Sequence, residues 1–379
     1  MIQFQAPTIS NEEIKAVRRV METAWVGPGP ESDAFIADFA NYAGIPADHF
    51  TGVSSCTDAL FFALQVVASK KKGEIVIPSI CYSGVAHAAV TAGLTTRFCD
   101  VDCVTLCARP EDIASRISSE TVAIVVLHYG GLACEIESIA SLAADRGLIL
   151  IEDAACAPAT FVGGRLCGTI ADFGVWSFDA AKLVTSLEGG IAYARDLDDV
   201  RALRRLSNLG MERRSGFAGA AVRQSKWWED SAIVVGRRSV LPDVNAAVGR
   251  VQLARVDELN TLRKRLWERY QANLIGTPRM TLPPARANDD RSSFYYFWLF
   301  LPENLRDGAA AFLLEKGIYT TVKYPPLHRN SLFGGNSPHL PHAEAIGRSA
   351  LLLPLHANLT VHDVDFVCAS LQTFLTNDG

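Results

Sequence analysis

Hydrophobic and polar positions along this chain change period several times, and each change marks a structural element. Ser10 followed by Glu13 forms a capping box, and Ile14, Val17 and Met21 then recur on one helical face. This predicts a helix that ends before Gly27-Pro28-Gly29-Pro30. From about residue 55 to residue 195, helical patterns alternate with short apolar runs at 74–78, 122–127, 148–151 and 174–178. Strands this apolar are buried on both faces, as in a sheet covered by helices. The spacing leaves room for crossover helices, so the pattern predicts an α/β large domain with a mainly parallel sheet and helices on both faces. In such sheets ligands bind at the carboxyl ends of the strands.

After residue 245 a long helical pattern runs through Val251, Leu253, Val256, Leu259, Leu262 and Leu266, with Arg and Glu on its other face. It predicts a helix bridging two domains. The strand-like aromatic run 294–300, two amphipathic helices and a Pro- and Gly-rich loop around residues 324 to 341 then fit a smaller α+β domain. The length of 379 residues agrees, since single cores stop growing near roughly 250 to 300 residues. The expected division is 1–245 for the large domain with its N-terminal segment, and 246–379 for the small C-terminal domain with the bridging helix.

Composition narrows the function classes. Hydrophobic residues make up 49% of the chain and charged residues 20%, which is ordinary for a globular protein. A formal net charge of −5 argues against a nucleic-acid partner, and the basic run Ser69-Lys70-Lys71-Lys72 reads as a solvated turn. No apolar stretch approaches the roughly 20 residues that span a bilayer, and the N-terminus lacks a signal-peptide core, so a cytoplasmic protein without membrane contact is expected. The nine cysteines are an odd number scattered through the chain and read as reduced thiols. Cys99, Cys103 and Cys107 are evenly spaced but fit no recognised metal pattern, and His328, His339 and His342 lack further ligands, so no metal is expected.

Chemistry concentrates in three places. The strand 148–151 runs straight into Glu152-Asp153-Ala154-Ala155, so one of two carboxylates should face a ligand site; a turn or cap is the alternative. Lys182 follows 29 residues after Asp153, at the end of Ser177-Phe178-Asp179-Ala180-Ala181 and ahead of Glu188-Gly189-Gly190. A lone lysine is ordinarily a surface residue. This one closes a strand-end segment without other cations, which suits an amine held near a cofactor, where partial burial helps it lose its proton. Upstream, Ser54-Ser55-Cys56-Thr57 opens an apolar helix whose free amides would suit a phosphate, although Ser and Thr also cap most helices.

Taken in chain order, phosphate-binding helix, aromatic, strand-end aspartate and lysine resemble the DegT/DnrJ/StrS family of sugar aminotransferases, which are pyridoxal-phosphate enzymes of fold type I. The motifs come nearest to the dTDP-4-oxo-6-deoxyhexose transaminases. Nine segments carry the resemblance across nearly the whole chain. They are Trp25-Val26-Gly27-Pro28-Gly29-Pro30, Ser55-Cys56-Thr57-Asp58-Ala59-Leu60, Pro78-Ser79-Ile80-Cys81-Tyr82, His128-Tyr129-Gly130-Gly131, Ile151-Glu152-Asp153-Ala154-Ala155, Ser177-Phe178 with Lys182, Glu188-Gly189-Gly190, Tyr324-Pro325-Pro326-Leu327-His328 and Leu353-Pro354-Leu355.

The resemblance implies pyridoxal 5'-phosphate bound to Lys182, which would also carry the proton between substrate and cofactor. Asp153 would pair with the pyridine nitrogen and keep the ring electron-poor. Tyr82 would stack on the ring, while Cys56, Thr57 and Ser177 would hold the phosphate. Cys56 stands where the family commonly has Gly, and Cys156 where a Gln often touches the phenolic oxygen. Arg238, in Gly236-Arg237-Arg238-Ser239, would cross a homodimer interface to the phosphate of the neighbouring site, with a surface Arg as the alternative. Tyr324 and His328 would lie near the substrate or serve as loop packing.

The implied reaction moves an amino group from glutamate to a keto group of a nucleotide-linked deoxysugar, in amino-sugar biosynthesis for a polysaccharide or antibiotic. Another keto sugar, a sugar phosphate or a keto-cyclitol are alternative acceptors. A related sugar dehydratase would carry His in place of Lys182, and a non-catalytic sensor of the same fold would have lost parts of the site.

Overall fold

The structure, a computed structural model, describes residues 1–211, 232–286, 292–334 and 339–377. Its strands are β1 Phe50–Val53, β2 Glu74–Pro78, β3 Thr95–Cys99, β4 Thr121–Leu127, β5 Ile149–Asp153, β6 Phe161–Val162, β7 Arg165–Leu166, β8 Phe173–Ser177, β9 Gly190–Ala194, β10 Phe297–Phe300 and β11 Ala350–Leu353. Seven of them form one sheet in the order β1-β9-β8-β5-β4-β2-β3. Neighbours from β8 to β3 pair in parallel, and β9 runs antiparallel between β1 and β8. The expected parallel α/β sheet is therefore present. Every residue of β4, β8 and β9 is buried, which accounts for their unbroken apolar character. The short strands β1, β3 and β9 complete the sheet without a signal of that kind in their sequences.

Helix Cys56–Lys70 follows β1 and buries eight side chains, among them Ala59, Leu60, Leu64 and Val67. Ser55 caps it by accepting from the Asp58 amide at 3.1 Å. At the N-terminus the capping box of Ser10 and Glu13 opens helix Asn11–Glu22 as expected. The buried face differs from the expected one: Ala16 and Val20 pack against helix Asp243–Ala254, whereas Ile14 and Met21 are exposed. The small Ala16 lets the two helices approach closely. Glu13 is buried with them, and its carboxylate accepts from Ser10 and from Gln252 Nε2. Those hydrogen bonds outweigh the cost of burial and hold its pKa below the usual carboxylate value.

The pattern expected as one long helix is two, Asp243–Ala254 and Val256–Leu274, broken at Arg255. Val256 and Leu259 pack with the large sheet's helices, while Leu266, Trp267, Tyr270 and Leu274 join a second core with β10, β11 and helices Glu303–Glu315 and Val361–Asn377. β10 and β11 are antiparallel and pair Phe297 with Leu353. Of the Pro- and Gly-rich loop, residues 335–338 lie outside the described residues. No helix among the described residues is long and apolar enough to cross a membrane.

Candidate active site

Strand alternation separates the two adjacent carboxylates at the end of β5. Glu152 turns to the side of β6 and β7, where its oxygens accept from the amides of Gly168, Ile170 and Ala171 at 2.6 to 2.7 Å and from His128 Nε2 at 2.9 Å. Among the described residues, His128, Glu152 and Cys167 are the one His, Cys and carboxylate group close enough to share an ion. Three amides already saturate that carboxylate, which makes it a clamp on the loop before β8. Glu152→Gln places an NH2 among N–H donors, and a loss of about 3 kcal/mol in stability is expected, read as a lower melting temperature.

Asp153 turns the other way and lines a cavity of about 270 Å³ at the carboxyl ends of the strands. It is 1% exposed, and its Oδ1 accepts from the Ala155 amide at 3.0 Å. No further hydrogen bond reaches the carboxylate among the described residues. Burial raises its pKa, against the opposing pull of that amide and of Lys182. A cationic partner would relieve this cost.

Lys182 lies on a loop between β8 and β9 that closes on itself. Phe178 donates its amide to Gly189 O at 3.0 Å, Ser186 donates to Phe178 O at 2.8 Å, and Asp179 Oδ1 accepts from Ala181 at 2.7 Å. The Lys182 ammonium is buried, 3.9 Å from Cys156 Sγ and 4.8 Å from the centre of the Tyr295 ring. Burial works against its charge, but Cys156, Tyr295, Tyr324 and Asp179 hold the proton on, above the usual lysine range. Tyr295 also donates its hydroxyl to Ala181 O at 3.3 Å, so one aromatic side chain supports both the amine and its loop.

The remaining wall comes from the start of helix Cys56–Lys70, with Ser55, Cys56, Thr57 and Leu60, together with Tyr82, Ser177 and Tyr324. Gly190, the first residue of β9, sits beside this helix start, and a Cβ there would come within 2.5 Å of the Cys56 amide nitrogen. Only glycine allows strand and helix to approach so closely. The result is a cradle of backbone amides at a positive helix end, facing an unpaired carboxylate and an amine. The amide donors fit a phosphate, and the carboxylate and amine fit the ring that carries it.

Of the expected site residues, Lys182, Cys56, Thr57, Tyr82, Asp153, Ser177 and Tyr324 meet at this cavity, and Cys156 lies against the Lys182 amine. His328 does not line it. It is buried behind the loop, with Nδ1 2.6 Å from Ser79 Oγ and Nε2 3.2 Å from Glu344. Arg238 is exposed and also outside the cavity, while its neighbour Arg237 pairs with Asp58 and lies over Phe61 at 4.7 Å. Asp179, Glu188, Tyr295, Tyr296 and Lys323 line the cavity without having been singled out. Asp179 and Glu188 fell inside quoted motifs, whereas the two tyrosines belonged to an aromatic run that reads as core.

Comparison with known proteins gives one answer. The model of the DegT/DnrJ/EryC1/StrS aminotransferase family matches residues 7–372. The chain is 37% identical over 372 residues to the dTDP-4-dehydro-2,3,6-trideoxy-D-glucose 4-aminotransferase of Saccharopolyspora spinosa, covering 98% of this chain and 96% of that one. The crystal structure of the aminotransferase TlmJ from Streptoalloteichus hindustanus superimposes with a TM-score of 0.94 at 38% identity, over 100% of both chains. Spr1654 of Streptococcus pneumoniae, solved in PLP and PMP forms, shares the fold at 22% and 23% identity, with TM-scores of 0.89 and 0.90; at least 99% of each chain is covered.

Fold and cavity together define a pyridoxal-phosphate transferase built on a seven-stranded α/β sheet. The chain belongs to the DegT/DnrJ/EryC1/StrS aminotransferase family, and its cofactor is pyridoxal 5'-phosphate.

Proposed function

We propose that this aminotransferase moves the amino group of glutamate to the keto group of a nucleotide-linked deoxysugar, as the name of its Saccharopolyspora spinosa relative suggests. The observation that carries the reading is the pairing of buried Lys182 with buried Asp153 across one cavity. When bound, pyridoxal phosphate supplies an electron sink for the pair left on a deprotonated carbon and a carrier for the amino group. Lys182 holds the cofactor and moves the proton at the substrate carbon. Asp153 keeps a proton on the pyridine nitrogen through its ionised carboxylate. The Cys56 and Thr57 amides and the Ser177 hydroxyl take the phosphate, Tyr82 covers the ring, and Cys156 borders the amine where a larger polar residue would contact the cofactor directly. Tyr324 faces the substrate side. His328, bonded to Ser79 and Glu344, holds the loop that carries Tyr324 rather than touching substrate.

The division into 1–245 and 246–379 is part of this reading: helix Val256–Leu274 joins the larger part through Val256 and Leu259 and the smaller one through Leu266, Trp267, Tyr270 and Leu274, while Tyr295, Tyr296, Trp298 and Leu352 of the smaller part pack into the core of the large sheet. The pairing of Ile2 with Ile318 ties the first residues to the smaller one. A homodimer is also part of this reading, with Arg238 of each chain serving the cofactor phosphate of the other. Exposed Ile14, Met21, Trp25 and Val26 supply apolar surface for it. Light scattering on the eluting protein should give twice the mass of one chain, and an active monomer would remove the shared site. Nine unpaired cysteines suit a reducing cytoplasm.

The test of the reaction is spectroscopic. Cofactor-loaded enzyme should lose its visible absorbance on adding glutamate and regain it on adding a keto deoxysugar nucleotide, with ping-pong kinetics. Recovery only with a keto-cyclitol or a sugar phosphate would move the acceptor to that class.

A further inference from the structure

The cavity has a charge imbalance that its cofactor deepens. Its lining carries three carboxylates, Asp153, Asp179 and Glu188, against two amines, Lys182 and Lys323. Lys182 is committed to the cofactor, and the cofactor brings a phosphate dianion of its own. Arg238 from a partner subunit, in the reading above, is engaged by that phosphate. An anionic substrate entering the same cavity therefore finds one uncommitted cation among the described residues, Lys323.

Lys323 is built as a binding group, with its backbone fixed and its head free. Its carbonyl accepts from the Tyr129 hydroxyl, and Leu327, four residues on, donates its amide to Ser79 O at 2.9 Å. Both partners belong to segments that follow strands of the large sheet, so the loop is pinned to the large sheet beside the cavity that Lys323 and Tyr324 line. The side chain is half-buried, with its amine 5.9 Å from the centre of the Tyr324 ring. Among the described residues no carboxylate lies within ion-pair distance of it. A partly desolvated ammonium at a cavity wall, without an anion of its own, is suited to an anion delivered by a ligand.

We propose that Lys323 is a specificity-determining residue that binds the diphosphate of the nucleotide-linked substrate. The assignment rests on the aminotransferase reading and deepens it. A glutamate carboxylate is the other anion this site receives. Glutamate must reach the buried Lys182 with its α-carbon, whereas a nucleotide sugar keeps its diphosphate one sugar ring away from the reacting carbon, and Lys323 is the more exposed of the two amines in the lining.

The probes are thymidine diphosphate, uridine diphosphate and the two bare nucleosides, titrated calorimetrically into cofactor-loaded wild type, Lys323→Met and Lys323→Arg. Loss of a charge-assisted contact is expected to weaken diphosphate binding about ten- to a hundred-fold in Lys323→Met, with nucleoside binding little changed and Lys323→Arg recovering most of the loss. The half-reaction with glutamate, followed by cofactor absorbance, should suffer a smaller loss than diphosphate binding. Equal diphosphate affinity in wild type and Lys323→Met overturns the assignment, as does a larger loss on the glutamate side. Failure of the underlying reading shows elsewhere, as wild-type enzyme whose absorbance does not respond to glutamate.

Discussion

Lys182→Ala is expected to lower transamination by about four orders of magnitude while leaving the fold intact, because in the proposed mechanism the residue supplies both the covalent hold on the cofactor and the proton transfer at carbon. The amine is buried on a loop whose own backbone hydrogen bonds do not involve its side chain, so truncation removes chemistry and little structure. Lys182→Arg should fail as completely, since a guanidinium stays protonated and cannot attack a carbonyl carbon. Reduction with borohydride followed by peptide mass analysis reads the outcome: wild type should retain cofactor mass on residue 182, and neither variant should. A variant that keeps wild-type turnover would remove Lys182 from the mechanism. The surrounding acidic groups hold the free amine's proton on, above the usual lysine range. Cofactor capture by the cofactor-free enzyme must displace that proton, so its rate should climb as pH rises through the alkaline range.

How much of this was legible in the sequence depended on where each signal resides. β4 announces itself because seven consecutive buried positions leave little room for polar residues, and β5 because an apolar run that ends in Glu152-Asp153 delivers carboxylates to the ligand edge. β9, Gly-Ile-Ala-Tyr-Ala, reads as weak because glycine and alanine have little strand preference; it is fixed by pairing on both sides and by the close approach of Gly190 to the helix start. The face of the first helix was misjudged because large side chains weigh more in a periodicity than small ones. Ile14 and Met21 point outward, and it is Ala16 that permits helix contact. The break at Arg255 carries neither glycine nor proline, so nothing local announces it. In the site, Asp153 and Lys182 were legible from the strand ends that precede them, whereas Tyr82 was named only through the family resemblance. Tyr295 and Lys323 arrive from the C-terminal part by tertiary packing, and no spacing along the chain places them within reach of Lys182.

Asp153→Asn should separate stability from function in opposite directions. In the cofactor-free chain, burial raises the carboxyl's pKa above its ordinary value of 3.8. Between the unfolded and folded pKa values the native state then binds more protons than the unfolded state, so stability falls as pH rises through that window. Above that window the full penalty is in place, and above the unfolded pKa some of it is present already. The neutral amide avoids it and can still accept from the Ala155 amide, so the cofactor-free variant should melt above cofactor-free wild type at pH 7. With cofactor the order reverses. In the proposed mechanism the pyridine nitrogen would then supply the carboxylate's cationic partner, and breaking a buried pair of this kind costs about 3 to 5 kcal/mol, or roughly two to four orders of magnitude in turnover. Thermal melts with and without pyridoxal phosphate, together with kcat for the glutamate half-reaction, test both arms. An Asn variant that turns over at the wild-type rate would show that Asp153 does not hold the ring. One that loses stability without cofactor would show that the carboxylate has a protein partner and that its charge is a structural asset to the empty site.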